Sequence, residues 1–154
     1  MRGNEQVIAL LNEALKEELT AISQYFVHAE MCENWGWEKL KTRLKKQSID
    51  EMKHAEALIE RILFLDGVPV MGESLQLHIG QTVSAQLEND LKAELGAVTM
   101  YNASARKCAE AGDNISRDLF IQLLKDEEGH ADWLETQLAQ IKQLGLENYL
   151  VEQL

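Results

Sequence analysis

Two short segments of the sequence decide the fold, and both have the pattern Glu-x-x-His: Glu51-Met52-Lys53-His54 and Glu127-Glu128-Gly129-His130. A spacing of three residues places the glutamate and the histidine of each segment on one face of a helix. The second segment begins 76 residues after the first, and the same offset relates two other pairs, Glu18 with Glu94 and Tyr25 with Tyr101. Because four matched positions rarely arise by chance, the sequence indicates two related helical hairpins.

Hydrophobic residues recur at helical spacing along four long stretches of the chain, and each stretch contains one of these glutamates. The predicted helices extend from about Asn4 to Asn34, from Leu40 to Leu65, from Val83 to Gly112 and from Asp113 to Gly145. After the second helix, Asp66-Gly67-Val68-Pro69 breaks the pattern and opens a longer connection that ends at Gln81. The tail, residues 146–154, has the length of one further short helix.

The lengths of the connections predict how the helices are arranged. Short links make helices one and two, and helices three and four, antiparallel neighbours, whereas residues 66–81 are long enough to cross a bundle. Two hairpins joined by one crossover form the topology of ferritin-like proteins. We therefore predict an all-α, ferritin-like four-helix bundle with a long crossover between helices two and three and a short C-terminal fifth helix. The length of 154 residues predicts a single domain, 1–154.

The charge and composition of the chain exclude several classes of function. A formal net charge of −11 argues against a nucleic-acid partner, because phosphate binding needs a basic face, and it suits the attraction of cations. No stretch approaches the roughly 20 apolar residues of a membrane-spanning helix, and no apolar run of signal-peptide length follows the first residues. We expect a cytoplasmic protein without a membrane partner. The lone Cys32 and Cys108 argue against a zinc ribbon or a rubredoxin-like centre.

Acidic residues in the core-facing stripes indicate a metal centre. One glutamate lies in the stripe of each predicted helix, namely Glu18, Glu51, Glu94 and Glu127. Burying four ionised carboxylates costs several kcal/mol each, which either protonation or two divalent cations would relieve. The imidazoles of His54 and His130 would complete the coordination without adding charge, and this donor set suits iron or manganese, with zinc also able to bind. It is also the ligand pattern of di-iron helical bundles.

Several motifs carry a resemblance to a known family over nearly the whole chain. They are Asn34-Trp35-Gly36, Ser48–Ala55, Ile59–Leu65, Asp126–His130 with Trp133-Leu134-Glu135, and Gly145–Leu150. At these residues the sequence resembles the bacterioferritins, the haem-containing branch of the ferritin family.

The resemblance implies a di-iron centre with defined roles for its ligands. The six residues that would hold two irons are Glu18, Glu51, His54, Glu94, Glu127 and His130. Glu51 and Glu127 would bridge the irons, Glu18 and Glu94 would be terminal ligands, and Tyr25 would supply an electron from nearby. The implied activity is ferroxidase: Fe(II) is oxidised by O2 or H2O2, and ferric mineral is stored in a shell of 24 subunits. That shell would be a homo-oligomer built of dimers, or a mixed shell with a second type of subunit.

The resemblance also implies haem b at a twofold interface between subunits, with Met52 and its symmetry mate as axial ligands. Helical geometry agrees that Met52 points away from Glu51, because successive residues are rotated by about 100 degrees. Haem would assist iron release, and a ferredoxin-like protein would be its electron donor. The chain departs from the usual pattern at Lys46-Gln47, where many members have His-Glu. The inner-surface iron site of some members is therefore in doubt, and only Asp50 remains of it.

Two other classes of function stay open at this point. One is a different di-metal carboxylate protein, such as a rubrerythrin-like peroxidase or an oxygenase. Rubrerythrins usually add a C-x-x-C module, which this chain lacks, and oxygenase subunits are usually much longer. The other is a non-enzymatic helical assembly subunit or haem carrier with a degenerate metal site.

Overall fold

The computed structural model describes residues 1–154 and contains five helices and no strands. The helices are α1 (Glu5–Trp35), α2 (Glu38–Phe64), α3 (Val83–Glu110), α4 (Asn114–Leu144) and α5 (Leu146–Val151). The predicted architecture is confirmed: α1 packs along α2, α3 packs along α4, and residues 65–82 form the long crossover between the two hairpins. The short α5 packs against α4.

The ends of the helices follow from local chemistry. The side chain of Asn4 accepts hydrogen bonds from the backbone N–H groups of Gln6 and Val7, which satisfies the first turn of α1. Gly36 ends the same helix with a left-handed φ of 90°, a conformation that costs glycine nothing. The hydroxyl of Thr82 accepts from the N–H of Ala85 and starts α3 after the crossover.

Two apolar clusters fill the bundle, one on each side of a polar layer. One cluster includes Leu11, Leu58, Tyr101 and Phe120, and the other includes Tyr25, Leu40, Leu87 and Leu134. On every long helix the core glutamate lies in sequence between residues of the first cluster and residues of the second. The four acidic positions therefore share one level of the bundle, enclosed by apolar packing above and below.

A buried network fixes the crossover to α1 and α3. The N–H of Gly80 donates to Nε2 of His28 at 3.0 Å, so the ring proton resides on Nδ1, which lies 3.1 Å from Oδ2 of Asp90. Gln24 donates to the other oxygen of Asp90 at 2.8 Å and accepts from the N–H of His78 at 3.0 Å. These contacts satisfy the buried polar groups and set the crossover against the hairpins.

Asp113 anchors the start of α4 to the end of α2. Its Oδ1 accepts from the N–H of Ser116 at 2.9 Å and from the guanidinium of Arg61 at 2.8 Å. The Ser116 hydroxyl donates to Oδ2 at 2.7 Å. Burial acts to raise the pKa of Asp113, but these contacts outweigh it and lower the pKa below 3.8.

Replacing Asp113 by alanine should lower the free energy of unfolding by about 1–2 kcal/mol, the usual cost of losing an N-cap. Because the pKa of Asp113 is lowered on folding, its contribution is present above about pH 4 and disappears as the pH falls. Thermal unfolding at neutral pH measures the effect. Asp118→Ala is the matched control, since Asp118 is exposed and pairs only with Arg117. An equal loss in both variants would contradict the capping role.

Candidate metal centre

The six sequence-predicted ligands lie together in the polar layer of the bundle. All six are buried, each with at most 9% of its surface exposed: Glu18, Glu51, His54, Glu94, Glu127 and His130. They form two overlapping donor sets, and within each set the ligand atoms lie within 4.8 Å of one another. The first set is Glu18, Glu51, His54 and Glu127, and the second is Glu51, Glu94, Glu127 and His130. Glu51 and Glu127 thus belong to both halves.

The two halves of the centre have nearly the same geometry. Nδ1 of His54 lies 2.9 Å from Oε1 of Glu127, and Nδ1 of His130 lies 2.8 Å from Oε1 of Glu51. The glutamate that belongs to one half only lies 3.5 Å from the same nitrogen: Glu18 from Nδ1 of His54, and Glu94 from Nδ1 of His130. The imidazole rings are stacked, with their centroids 6.0 Å apart. The offset of 76 residues in the sequence therefore corresponds to a local twofold relation in space.

Many oxygen and nitrogen atoms that could bind a metal ion in this layer have no aligned hydrogen-bond partner. They are Oε2 of Glu18, both oxygens of Glu51, Oε2 of Glu94, Oε1 of Glu127, and Nδ1 of His54 and His130. An unsatisfied buried polar atom costs about 1–3 kcal/mol, and native proteins contain few of them. Seven such atoms converging on one point form a donor set of carboxylate oxygen and imidazole nitrogen. The residues present therefore fit a pair of divalent cations such as iron.

The carboxyl groups of the centre have strongly perturbed pKa values. Burial raises the pKa of Glu18 well above its ordinary value, and the nearby charge of Glu51 raises it further. The pKa of Glu94 is raised by burial and by its contact with Glu127. Burial also acts to raise the pKa of Glu51 and of Glu127, but their contacts with neighbouring groups outweigh it, and both are lowered. The shared carboxylates therefore stay ionised while the outer ones tend to hold protons.

The histidines of the metal-free centre also hold protons. Burial acts to lower the pKa of His54, but contacts with Glu127, Glu18 and Glu51 raise it well above 6.5. Burial also acts to lower the pKa of His130, but contacts with Glu127, Glu51 and Glu94 raise it to about 12. A divalent cation that binds here must displace these protons, so metal binding and proton release are coupled.

The metal-free protein should lose thermal stability as the pH rises above about 6.5. A histidine whose pKa is raised on folding contributes stability that is complete below its unfolded pKa and is lost as the pH rises toward the folded value. We expect a decline of several degrees between about pH 6.5 and 9, equivalent to about 1–3 kcal/mol. Zn²⁺ should abolish the decline because the metal replaces the protons. Thermal unfolding with EDTA or with Zn²⁺ tests this, and identical profiles would contradict it.

Two tyrosines hold the outer carboxylates from the opposite hairpin. Oη of Tyr25 donates to Oε1 of Glu94 at 2.5 Å, and Oη of Tyr101 donates to Oε1 of Glu18 at 2.6 Å. Burial is the main reason that the pKa of each phenol lies well above 10. Both phenols therefore keep their protons and fix one oxygen of each outer carboxylate.

The structure also shows a contact that the sequence reasoning did not identify. Oδ2 of Asp126 lies 3.0 Å from Nε2 of His54. A proton kept on Nε2 by Asp126 makes Nδ1 the nitrogen that can bind a metal ion, so Asp126 orients the ring. The sequence contains a signal for this contact, because an aspartate precedes the glutamate in both segments, Asp50 before Glu51 and Asp126 before Glu127.

Cavities reach the centre from both sides of the bundle. Between α1 and α3, a small cavity of about 30 Å³ touches all four core glutamates. A larger polar cavity of about 490 Å³ shares four lining residues with it, Glu17, Thr20, Gln24 and Ala93. Between α2 and α4, a cavity of about 390 Å³ reaches both histidines.

Met52 lies outside the metal centre, as helical geometry predicts. Its side chain is 51% exposed, and Ile49, three residues before it on α2, is 47% exposed. The equivalent position in the other hairpin is Glu128, so this outward-facing thioether has no counterpart. An exposed thioether on a helix face, beside an apolar neighbour, is a ligand that fits haem iron.

Comparisons with known proteins agree with this geometry. Residues 8–144 match the family model of the ferritin-like domain. Bacterioferritins from Mycolicibacterium paratuberculosis and Mycobacterium leprae are 45% and 46% identical to the chain over 149 residues, which cover 97% of the chain and 94% of each relative. The bacterioferritin of Rhodobacter capsulatus is 44% identical over 97% of the chain and 92% of its own length. The chain belongs to the bacterioferritin family.

Membership of the bacterioferritin family supports a ferritin-like function in iron storage. It confirms the family that the sequence motifs indicate, over nearly the same span of the chain. None of the helices combines the length and the apolar character that a membrane crossing requires.

Proposed function

We propose that this chain is an iron-storage ferroxidase that binds two Fe(II) ions at the six buried ligands and oxidises them with O2 or H2O2. The observation that carries the proposal is the overlap of the two donor sets at Glu51 and Glu127. Both oxygens of Glu51 and Oε1 of Glu127 lack a hydrogen-bond partner, which suits these shared carboxylates to bridge two neighbouring cations. Glu18 and Glu94 are then the terminal ligands.

The charge balance favours iron as the substrate. Two Fe(II) ions neutralise four carboxylates, and the anionic donors favour the ferric state once the electrons leave. Each pair of Fe(II) ions gives two electrons, which with two protons reduce O2 to H2O2, or H2O2 to two water molecules. Neighbouring metal positions let one oxidant receive both electrons. Protons displaced from His54 and His130 on metal loading leave through the cavity between α2 and α4.

Tyr25 is the residue that we assign as an additional electron source. Its Oη donates to Glu94, so loss of an electron from the ring can release the phenolic proton to that carboxylate. The equivalent Tyr101 makes the same contact with Glu18. The electron would pass to the O2 or H2O2 being reduced, and the phenol would be left as a neutral radical whose proton stays on the carboxylate.

Storage requires an assembly rather than one chain. We propose a shell of 24 copies built of dimers, with ferric mineral inside, and haem b held between the Met52 thioethers of two copies. When bound, haem with two thioether ligands has a raised potential and carries electrons for iron release. The part of this chain is to present Met52 outward on α2, beside Ile49.

Aerobic addition of Fe(II) to the purified protein tests the proposal. We expect rapid oxidation, and on the order of hundreds of irons or more per particle should stay in solution as ferric product. Gel filtration should give a particle about 24 times the 17.5 kDa mass of one chain. A small particle that reduces H2O2 but retains no ferric product would favour the rubrerythrin-like alternative. Supplying O2 and H2O2 in separate experiments identifies the working oxidant.

A further inference from the structure

We propose that Lys46 makes the two halves of the metal centre unequal. It holds Asp50 in an ion pair, so His130 lacks the carboxylate partner that His54 has, and the Glu94–His130 half binds its cation more weakly than the Glu18–His54 half. This inference rests on the proposed function, because it assumes that both halves take a metal ion.

The two hairpins carry the same six ligands, but the residue one helical turn before the aspartate differs between them. Asp50 and Asp126 stand at equivalent positions, 76 residues apart and directly before the shared glutamates. One helical turn earlier, α2 has Lys46, whereas the equivalent residue of α4 is Gln122. Residues four apart on a helix are neighbours, so only Asp50 has an ammonium group within reach on its own helix.

The contacts follow this difference. Oδ2 of Asp126 lies 3.0 Å from Nε2 of His54. Oδ2 of Asp50 instead lies 3.1 Å from Nζ of Lys46, and Asp50 makes neither a hydrogen bond nor an ion pair with His130. The two histidines therefore differ only in the partner on the side of the ring away from the glutamates, since the contacts of their Nδ1 atoms with the glutamates match.

Other charged groups near the aspartates do not account for the difference. Lys53 and Lys125 line the same cavity as Asp50, Asp126 and both histidines. Neither lysine forms an ion pair with either aspartate. Lys46 is thus the one cation that holds a carboxylate away from the metal ligands.

The physical consequence concerns ring orientation and basicity. A carboxylate on the outer nitrogen of a ligating histidine fixes its tautomer and orientation and strengthens the metal bond, and losing that partner typically costs about 10–100-fold in affinity. His54 has this support and His130 lacks it. Removing Lys46 should free Asp50 to reach His130. Because an exposed ion pair four residues apart is weak, the recovery in affinity should be small, about threefold to tenfold.

Anaerobic titration with Co²⁺, followed by its visible absorption, measures the two affinities without turnover. We expect the unmodified protein to bind two Co²⁺ ions per chain in two steps, and His130→Ala should remove the weaker step. Lys46→Gln, which reproduces the residue found in the other hairpin, should bring the two steps together. Lys46→Arg keeps the ion pair and should leave the steps apart.

Reciprocal variants separate this role from a general effect of charge. Gln122→Lys places an ammonium one turn before Asp126 and should weaken the stronger step. Asp126→Asn should weaken the stronger step by about 10–100-fold, whereas Asp50→Asn should have little effect unless Lys46→Gln is also present. Lys46 and Gln122 are both exposed, so their replacement leaves the core unchanged.

The outcomes distinguish the inference from the function on which it rests. Failure to bind Co²⁺ at all would overturn the proposed metal centre. Two equal steps in the unmodified protein, or unequal steps that Lys46→Gln does not change, would overturn the inference while leaving the metal centre in place. A gap that closes in Lys46→Gln and remains in Lys46→Arg is the supporting result.

Discussion

Replacing Glu51 by glutamine should slow Fe(II) oxidation by at least about 100-fold. Glu51 belongs to both donor sets, so its loss removes a ligand from each metal position and about −1 of the charge that holds the cations. A loss of about 3 kcal/mol in stabilisation of the reacting pair corresponds to that factor. Stopped-flow measurement of Fe(III) formation at low iron per chain gives the rate.

Matched variants separate a shared ligand from a terminal one. Glu94→Ala removes a ligand from one half only, and oxidation should again slow severely, because one oxidant must receive electrons from both ions. Glu56→Gln is the control, since Glu56 is exposed on the same helix as Glu51. Glu51→Gln should not unfold the metal-free protein, because glutamine has nearly the same shape and its amide oxygen can still accept a hydrogen bond from Nδ1 of His130. A rate unchanged in Glu51→Gln would remove that residue from the centre.

Haem binding should be lost completely in Met52→Leu, while the initial rate of Fe(II) oxidation stays unchanged. Leucine keeps the apolar volume but has no sulfur to bind haem iron, and Met52 lies outside the buried donor sets. The absorption spectrum of the purified protein and the pyridine haemochrome assay measure haem content. Met52→His should keep haem but change its spectrum, because imidazole replaces the thioether.

The control for Met52 is another exposed methionine. Met71 on the crossover is 55% exposed, and Met71→Leu should leave both the haem content and its spectrum unaltered. Haem retained with the same spectrum in Met52→Leu and Met52→His would contradict the assigned ligand. Slower Fe(II) oxidation in the methionine variants would show that the outer face of α2 and the metal centre are coupled.

Sequence patterns predict the fold here because several local signals agree. The predicted start near Asn4, the predicted end near Asn34 and the breaker at Asp66–Pro69 place these helix boundaries within a few residues of those observed. The offset of 76 residues adds information about tertiary structure, because it requires two similar hairpins. The burial of the four glutamates at one level of the bundle follows from these constraints together.

Side-chain contacts between the two hairpins cannot be predicted from such patterns. Helical periodicity fixes which face of a helix is buried, but not the rotation and axial shift of its neighbour. It therefore places Tyr25 on the buried face of α1 without indicating that its Oη donates to Glu94 on α3. The pairing of Asp126 with His54, and of Asp50 with Lys46, likewise depends on side-chain competition across helices.

The central claim is that the acidic layer holds two cations between shared carboxylates. Crystals soaked anaerobically in Fe(II), with diffraction data collected on both sides of the iron absorption edge, test it most directly. We predict two anomalous peaks per chain, both contacted by Glu51 and Glu127, with one beside His54 and the other beside His130. No peak between the four glutamates, or iron bound only at the exposed surface, would contradict this account.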